Sequence, residues 1–317
     1  MALSFGYLLP TRERIMEGLP ETRLLLDWAD RAEDIGMDSV WVGDSIVARP
    51  RHEPLTLLAA VAGRTKKVQL GTAVLLPALR NPVLLAHQVA TLDQISEGRV
   101  ILGVGIATDV PNIRAEFAAT GVPFEKRVGR MMEGLRLCRA LWTGKPVTWD
   151  GRWTLNEQMI GPTPYREGGP PIWVGSRVRA GIVRAGKHFD GWFPTGPNPA
   201  AYREQLDEVR EVAVAADRDP NDIAAAAYLT LRIDDDAKAA DQHMDNYLTN
   251  YYGVPPAGIR KQQGNFAGPE SGAIEWMQSF IDAGARHLVI RLTGDHERQM
   301  ESVARIREAL LAANPTA

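Results

Sequence analysis

Four short stretches hold the residue types from which chemistry can be built. Asp44-Ser45 follows the apolar run Val40-Trp41-Val42-Gly43. A carboxylate and a hydroxyl would therefore emerge at the end of a buried strand, able to orient a ligand and exchange a proton, or to cap the next turn. Thr72-Ala73-Val74 sits at the end of a second apolar run, Val68 to Leu76. Gly103-Val-Gly105-Ile-Ala107-Thr108-Asp109 is a Gly-rich mouth after a third run. Its glycines would let a flat ligand approach the backbone closely, or would serve packing alone. Asp109 reads either as a proton donor or as a helix cap. In Gly175-Ser176-Arg177 a strand runs into Gly-Ser and then a helix. That order aims backbone N–H groups and the positive end of a helix dipole at an anion, with Arg177 and Arg179 adding charge. The same residues also fit a plain N-cap at Ser176.

Other chemistries find no footing. HExxH, paired cysteines and clustered carboxylate–histidine spacings are missing from the sequence, which argues against a metal site. His52 and His87 are the histidines nearest the expected mouth, but His87 falls within a helical pattern. The nucleophile elbow Gly-x-Ser-x-Gly fails because Gly43-Asp-Ser45-Ile-Val lacks its closing glycine. The dinucleotide fingerprint fails because Thr108 stands at the third glycine position. The single cysteine, Cys138, shares an apolar helical pattern with Leu135 and Leu141 and is expected to pack as a small hydrophobe.

The elements that must position these stretches alternate strand and helix along the chain. Strands are predicted over residues 3–9, 39–42, 68–76, 100–104, 171–174, 191–193, 223–231 and 287–292. Between the third and fourth, Asn81-Pro82 starts a helix carried by Leu84, Leu85, Gln88, Leu92 and Ile95, and Glu97-Gly98 ends it. Further helices are expected over 21–35, 124–141 and 296–312. Eight such units favour a closed α/β (β/α)8 barrel, because closure removes both sheet edges. The whole chain of 317 residues fits one barrel domain, and its active site belongs at the carboxyl ends of the strands. Two stretches interrupt the alternation. Residues 145–170 contain a hairpin turning at Asp150-Gly151, read as an inserted flap. Residues 251–269, rich in Gly, Pro and Gln, read as a lid over the mouth.

Composition narrows the partners. A net charge of -3 and 24% charged residues give no overall basic surface for nucleic acid or an anionic membrane. The amino terminus, MALSFGYLLP, lacks a basic region, and no apolar run reaches the ~18 residues that span a bilayer. A cytoplasmic enzyme acting on a small molecule is expected.

The chain resembles the luciferase-like monooxygenase superfamily, (β/α)8 enzymes that use reduced flavin or the deazaflavin coenzyme F420. The resemblance rests on Trp41-Val-Gly-Asp44, on Asn81-Pro-Val-Leu-Leu-Ala-His-Gln-Val-Ala-Thr-Leu-Asp93, and on Ser96-Glu-Gly-Arg-Val-Ile-Leu-Gly-Val-Gly105. It continues through Glu116-Phe117, Gly121-Val-Pro-Phe124, Pro171-Ile-Trp-Val-Gly175 and Asp190-Gly-Trp-Phe193, covering nearly the whole chain. It implies that the isoalloxazine lies in the mouth against a bulge within Thr72, Ala73 and Val74, which in such proteins often carries a cis peptide not involving proline. Gly105, Ala107 and Thr108 would line the cofactor, and Gly175, Ser176 and Arg177 would take its phosphate. Asp44 and Ser45 would orient cofactor or substrate, with Asp109 as proton donor. Trp41, Trp192 and Phe193 would line the pocket or simply pack.

Two cofactors are compatible with this resemblance. Many F420-dependent relatives carry histidine after the second-strand aspartate, where this chain has Ser45, and that favours reduced FMN with O2, oxidising a small organic substrate. Such a monooxygenase would draw on a separate flavin reductase. The alternative is F420-dependent hydride transfer, for which Arg49, Arg51, Arg177, Arg179, Arg260 and Lys261 could receive the anionic cofactor tail. A non-catalytic flavin-binding barrel is the second alternative. Family analogy implies a homodimer.

Overall fold

The computed structural model describes residues 2–196 and 198–315. Among the described residues eleven strands form: β1 (Ser4–Leu8), β2 (Ser39–Val42), β3 (Gln69–Thr72), β4 (Val100–Val104), β5 (Val147–Asp150), β6 (Thr154–Gln158), β7 (Ile172–Val174), β8 (Gly191–Trp192), β9 (Ala224–Ile233), β10 (Gly264–Gly268) and β11 (His287–Leu292). Eight of them close a parallel barrel in the order β11, β1, β2, β3, β4, β7, β8, β9, with β9 pairing back onto β11. This is the predicted (β/α)8 barrel. Its strands are short and buried on both faces because helices cover the outside and side chains fill the inside.

Helix starts follow local chemistry. Asn81 Oδ1 accepts from the Val83 and Leu84 amides at 2.9 and 3.4 Å, and Pro82 occupies the first turn of the helix Pro82–Ile95. Glu53 caps Pro54–Arg64 in the same way through the Thr56 amide. The expected helix from Phe124 begins with one 3-10 turn and becomes α-helical over Arg127–Trp142. Cys138 is buried on that helix, and burial pushes its thiol up to about 12. It packs as a small apolar group.

Inside the barrel, Trp41 is fully buried, with ring centroids 5.5 Å from Trp173 and 5.0 Å from Phe193. Gly71 on the neighbouring strand leaves the space that this indole fills. Trp41 Nε1 donates to Ser39 Oγ, which lies 2.7 Å from His287 Nε2. Trp192 belongs to the outer core, 5.0 Å from Tyr202. Of the three aromatics proposed for the pocket, only Phe193 lines it.

The two interruptions resolve differently. Residues 147–158 form an antiparallel hairpin, β5 with β6, as expected, but Asp150 pairs with Thr154, so the turn falls at residues 151–153 and not at Asp150-Gly151. It docks on the helix Arg127–Trp142 through Glu133, which accepts from the Arg152 amide at 2.7 Å and pairs with its guanidinium. No residue of this flap lines the mouth. The segment read as a lid, 251–269, folds as the helix Pro256–Arg260 and the strand β10, which runs parallel to the upper half of β9, and its first residues, Tyr251 and Tyr252, line the mouth. Phe266 supplies the reason, since its ring packs 5.9 Å from Trp276 and anchors the strand to the helix Glu270–Asp282. Among the described residues, no helix is long and apolar enough to cross a membrane, and no group of three or more His, Cys, Asp or Glu is placed to hold a metal ion.

Candidate active site

At the carboxyl ends of the barrel strands lies a cleft of ≈ 500 Å³. Its floor is built by an interruption of β3. The strand was expected to run to Leu76 but stops at Thr72, and the Ala73-Val74 peptide is cis. Backbone bonds pin the bulge on both sides: Ala73 donates to the Val42 carbonyl at 2.8 Å, Leu75 to that of Gly103 at 2.8 Å, and Gly105 to that of Leu75 at 2.9 Å. Val74 then faces two glycines. A Cβ on Gly105 would come within 2.6 Å of one Val74 methyl, and a Cβ on Gly175 within 3.2 Å of the other. A side chain at Gly105 would collide with Val74, and one at Gly175 would crowd it. Ala107, at the rim, holds a left-handed backbone with φ 63°.

Eleven of the twelve residues singled out from sequence line the cleft: Asp44, Ser45, Ala73, Val74, Gly105, Ala107, Thr108, Asp109, Gly175, Ser176 and Arg177. Thr72 is the exception, being fully buried, with its hydroxyl donated to the Gly103 carbonyl at 2.7 Å. It holds the bulge rather than touching a ligand. Lining the cleft is not the same as acting in it, and the geometry reassigns several side chains.

Asp44 Oδ2 accepts from the Leu76 amide at 2.9 Å and from Arg80 Nη1 at 2.5 Å, while Oδ1 accepts from Nη2 at 3.2 Å. Its side chain is only 2% exposed. This carboxylate is spent on fixing the chain beyond the bulge. Ser45 Oγ donates to Glu116 Oε1 at 2.8 Å and accepts the Arg49 amide at 2.9 Å. Glu116, fully buried, also gathers the Val47 and Ala48 amides at 3.0 and 3.3 Å. It anchors the loop after β2. Asp109 is exposed and forms a two-pronged pair with Arg114 at 2.6 and 2.8 Å, whose hydrogen bonds hold its carboxyl below the usual carboxylate range. It is ionised at neutral pH, which suits an acceptor and not the proton donor expected.

The anion site is also redrawn. The helix after β7 begins at Arg179, with Val178 at its N-cap position and no side-chain cap, so Ser176 does not cap it. Instead the Ser176 carbonyl accepts Trp192 Nε1 at 2.7 Å, and Arg177 Nη2 donates to Gln262 Oε1 at 2.8 Å. Ser176, Arg177 and Val178 line the cleft just ahead of that uncapped helix end, leaving its amides to a ligand or solvent. Arg179 and Arg260 are committed to surface carboxylates.

The opposite wall escaped sequence reasoning. Arg291 on β11 is 2% exposed and lines the cleft together with Tyr228, Tyr251 and Tyr252. Arg291 Nη1 donates to the Tyr252 hydroxyl at 3.1 Å, and Gln263 Nε2 donates to the same oxygen at 2.8 Å. Burial pushes the Tyr252 phenol up, but the Arg291 charge and these hydrogen bonds outweigh it and leave a net downward shift. The available signal was Arg291 itself, a cation inside the run His287–Leu292 that otherwise reads as a buried strand.

Residues 3–313 match the family model described as luciferase-like monooxygenase. The chain belongs to the luciferase-like monooxygenase family. Its sequence is 30% identical over 311 residues to the F420-dependent glucose-6-phosphate dehydrogenase of Rhodococcus erythropolis, a match covering 87% of this chain and 90% of that protein. Among solved structures, this luciferase-like barrel superposes on an F420-dependent secondary alcohol dehydrogenase in complex with an F420-acetone adduct. That match has a TM-score of 0.84 and 23% identity, covering 98% of this chain and 99% of that one. A long-chain alkane monooxygenase gives a TM-score of 0.80 at 15% identity, covering 98% and 92%. At such identities the two structures establish the fold.

Proposed function

We propose that this luciferase-like oxidoreductase works with coenzyme F420 and transfers hydride to or from a small organic substrate. The observation that carries the reading is the similarity, across nearly the full length of both chains, to an F420-dependent dehydrogenase. The likeness to solved monooxygenases lies at 15–21% identity and rests on fold. This reverses the preference for FMN drawn from Ser45. That preference assumed a residue facing the cofactor, whereas the Ser45 hydroxyl is consumed by Glu116 and the Arg49 amide. Serine there is a loop anchor and says little about the ring.

The cleft fits a deazaflavin. Val74, Gly105 and Gly175 form a flat apolar floor for a tricyclic ring, and Ser176, Arg177 and Val178 would receive a phosphate at the open helix end. When bound, F420 supplies a carbon centre that accepts or donates hydride. The protein's own residues position and protect. Asp44 and Arg80 lock the chain after the bulge, Phe193 keeps water from the floor, and Tyr252 holds a proton at its phenol oxygen, poised by Arg291 and Gln263 for exchange with a substrate oxygen.

Titrating the purified protein separately with F420 and FMN, oxidised and reduced, tests the assignment. Saturable micromolar binding of F420 with weak FMN binding is expected. Oxygen consumption with reduced FMN and an organic substrate, without F420 binding, would replace hydride transfer by the monooxygenase reaction.

A further inference from the structure

Arg291 is a buried cation without a buried anion. Its guanidinium carbon lies 4.9 to 5.7 Å from the ring centroids of Tyr228, Tyr247, Tyr251 and Tyr252. Its hydrogen bonds go to neutral groups: Nε and Nη2 to Thr230 Oγ1 at 3.2 and 2.9 Å, Nη2 to Gln263 Oε1 at 3.2 Å, and Nη1 to the Tyr252 hydroxyl at 3.1 Å. Of the five N–H groups of a guanidinium, one on Nη1 keeps no partner. Among the described residues, none of the ion pairs within 4.0 Å involves Arg291, Arg49 or Arg51.

Those two arginines line the same part of the cleft. Arg49 stacks 5.1 Å over Tyr252, and Arg51 Nε donates to the Arg49 carbonyl at 3.2 Å. Two carboxylates approach this group without pairing with Arg291: Glu13 accepts the Tyr247 hydroxyl and its charge acts on Arg51, while Asp44 is paired with Arg80. A buried, unneutralised charge costs several kcal/mol unless an anion arrives to meet it.

Place decides what that anion belongs to. Arg291 stands on β11, on the side of the ring away from β7, where Gly175 and Ser176 offer the phosphate site. An anion at Arg291 would direct the rest of its molecule across the cleft toward Val74. Its chemistry is narrowed by the surroundings: planar tyrosine faces, a planar guanidinium with one spare donor, and no lysine among the lining residues. Such a slot suits a flat monoanion better than a tetrahedral dianion that needs many donors.

We infer that the wall formed by Arg291, Arg49 and Arg51 is a carboxylate-binding subsite, and that the substrate is a small organic acid held there with its reacting carbon over the bulge. The inference rests on the hydride-transfer reading for what happens next, but binding at the wall is measurable without it.

Calorimetric titration of the full-length protein, with and without F420, tests the subsite with benzoate and hexanoate, with the neutral benzyl alcohol and hexanol, and with phenyl phosphate. The acids should bind and the alcohols should bind at least roughly tenfold more weakly, since a hydrogen bond to a charged group contributes about 1.5–3 kcal/mol. Arg291→Gln should weaken the acids by roughly 10- to 100-fold. Arg49→Gln, at a half-buried position, should show a smaller loss and carries the test if Arg291→Gln does not fold. Equal binding of acids and alcohols, stronger binding of phenyl phosphate than of benzoate, or unchanged affinity in the variants would overturn the inference. Failure of F420 to bind, with the acids still binding, would sink the cofactor assignment and leave this subsite standing.

Discussion

Asp44 shows how a carboxylate at a strand end can read as catalytic and serve as architecture. Its two oxygens are occupied by Arg80 and the Leu76 amide, and the pair is largely withdrawn from water. Asp44→Asn would leave Arg80 with the half-exposed Glu53, at 3.2 Å, as its remaining carboxylate, beside a long hydrogen bond to the Leu76 carbonyl, so a loss of about 3 kcal/mol in urea unfolding is expected. A proton-transfer role would predict the reverse pattern, intact stability with abolished turnover, and that result would return Asp44 to the chemistry. Glu116 is the complementary case. It was visible only as part of a family motif, yet it collects a serine hydroxyl and a fan of amides that shape the loop beside the cleft.

At the scale of elements, the interruption of β3 shapes the floor of the cleft, and β10 is added along the edge of β9. Asn81-Pro82, the apolar runs and Asp150-Gly151 declared their elements because each depends on neighbours in sequence. β10 did not declare itself. Gly-Asn-Phe-Ala-Gly has no strand-like alternation, and it forms a strand because the upper half of β9 offers a free edge and Phe266 finds Trp276. The fit is tight: a Cβ on Gly264 would sit 2.5 Å from the Gly196 carbonyl oxygen, a backbone atom that cannot swing aside. Gly264→Ala should therefore lower stability by about 1–3 kcal/mol. Hydrogen exchange should show the loss concentrated in 264–268 and the adjoining half of β9, and uniform protection would contradict a role for this edge.

For the molecule as a whole, two buried histidines set the response to acid. Burial lowers His287 to about 3 and His296 to about 4, each sealed beside a hydroxyl, that of Ser39 or Tyr7. Unfolded, both titrate near 6.5, so below that pH the unfolded chain binds protons that the folded chain refuses. Stability consequently falls as pH drops from about 6.5 toward 4, by as much as about 1.4 kcal/mol per pH unit for each histidine. Urea midpoints measured between pH 7 and pH 4.5 should decline steeply, and His296→Asn should flatten the decline. An unchanged slope in that variant would remove His296 from the account.

The sequence by itself determined the barrel, its eight crossing units, the hairpin and the stretches that converge at the mouth, since hydrophobic period, caps and turn residues act over a few positions along the chain. The family resemblance implied a flat cofactor against residues 72–74, and the order strand, Gly175-Ser176, helix pointed to an anion there. Only the tertiary structure decided what each side chain does there. Which carboxylates are satisfied depends on Arg80, Arg114, the Ser45 hydroxyl and backbone amides brought from 5 to 71 residues away. The unpaired charge of Arg291 exists only because β9, β11 and the helix Ala237–Tyr252 enclose it with tyrosines. Charge compensation is a property of three-dimensional neighbours, and no local pattern in the chain encodes it.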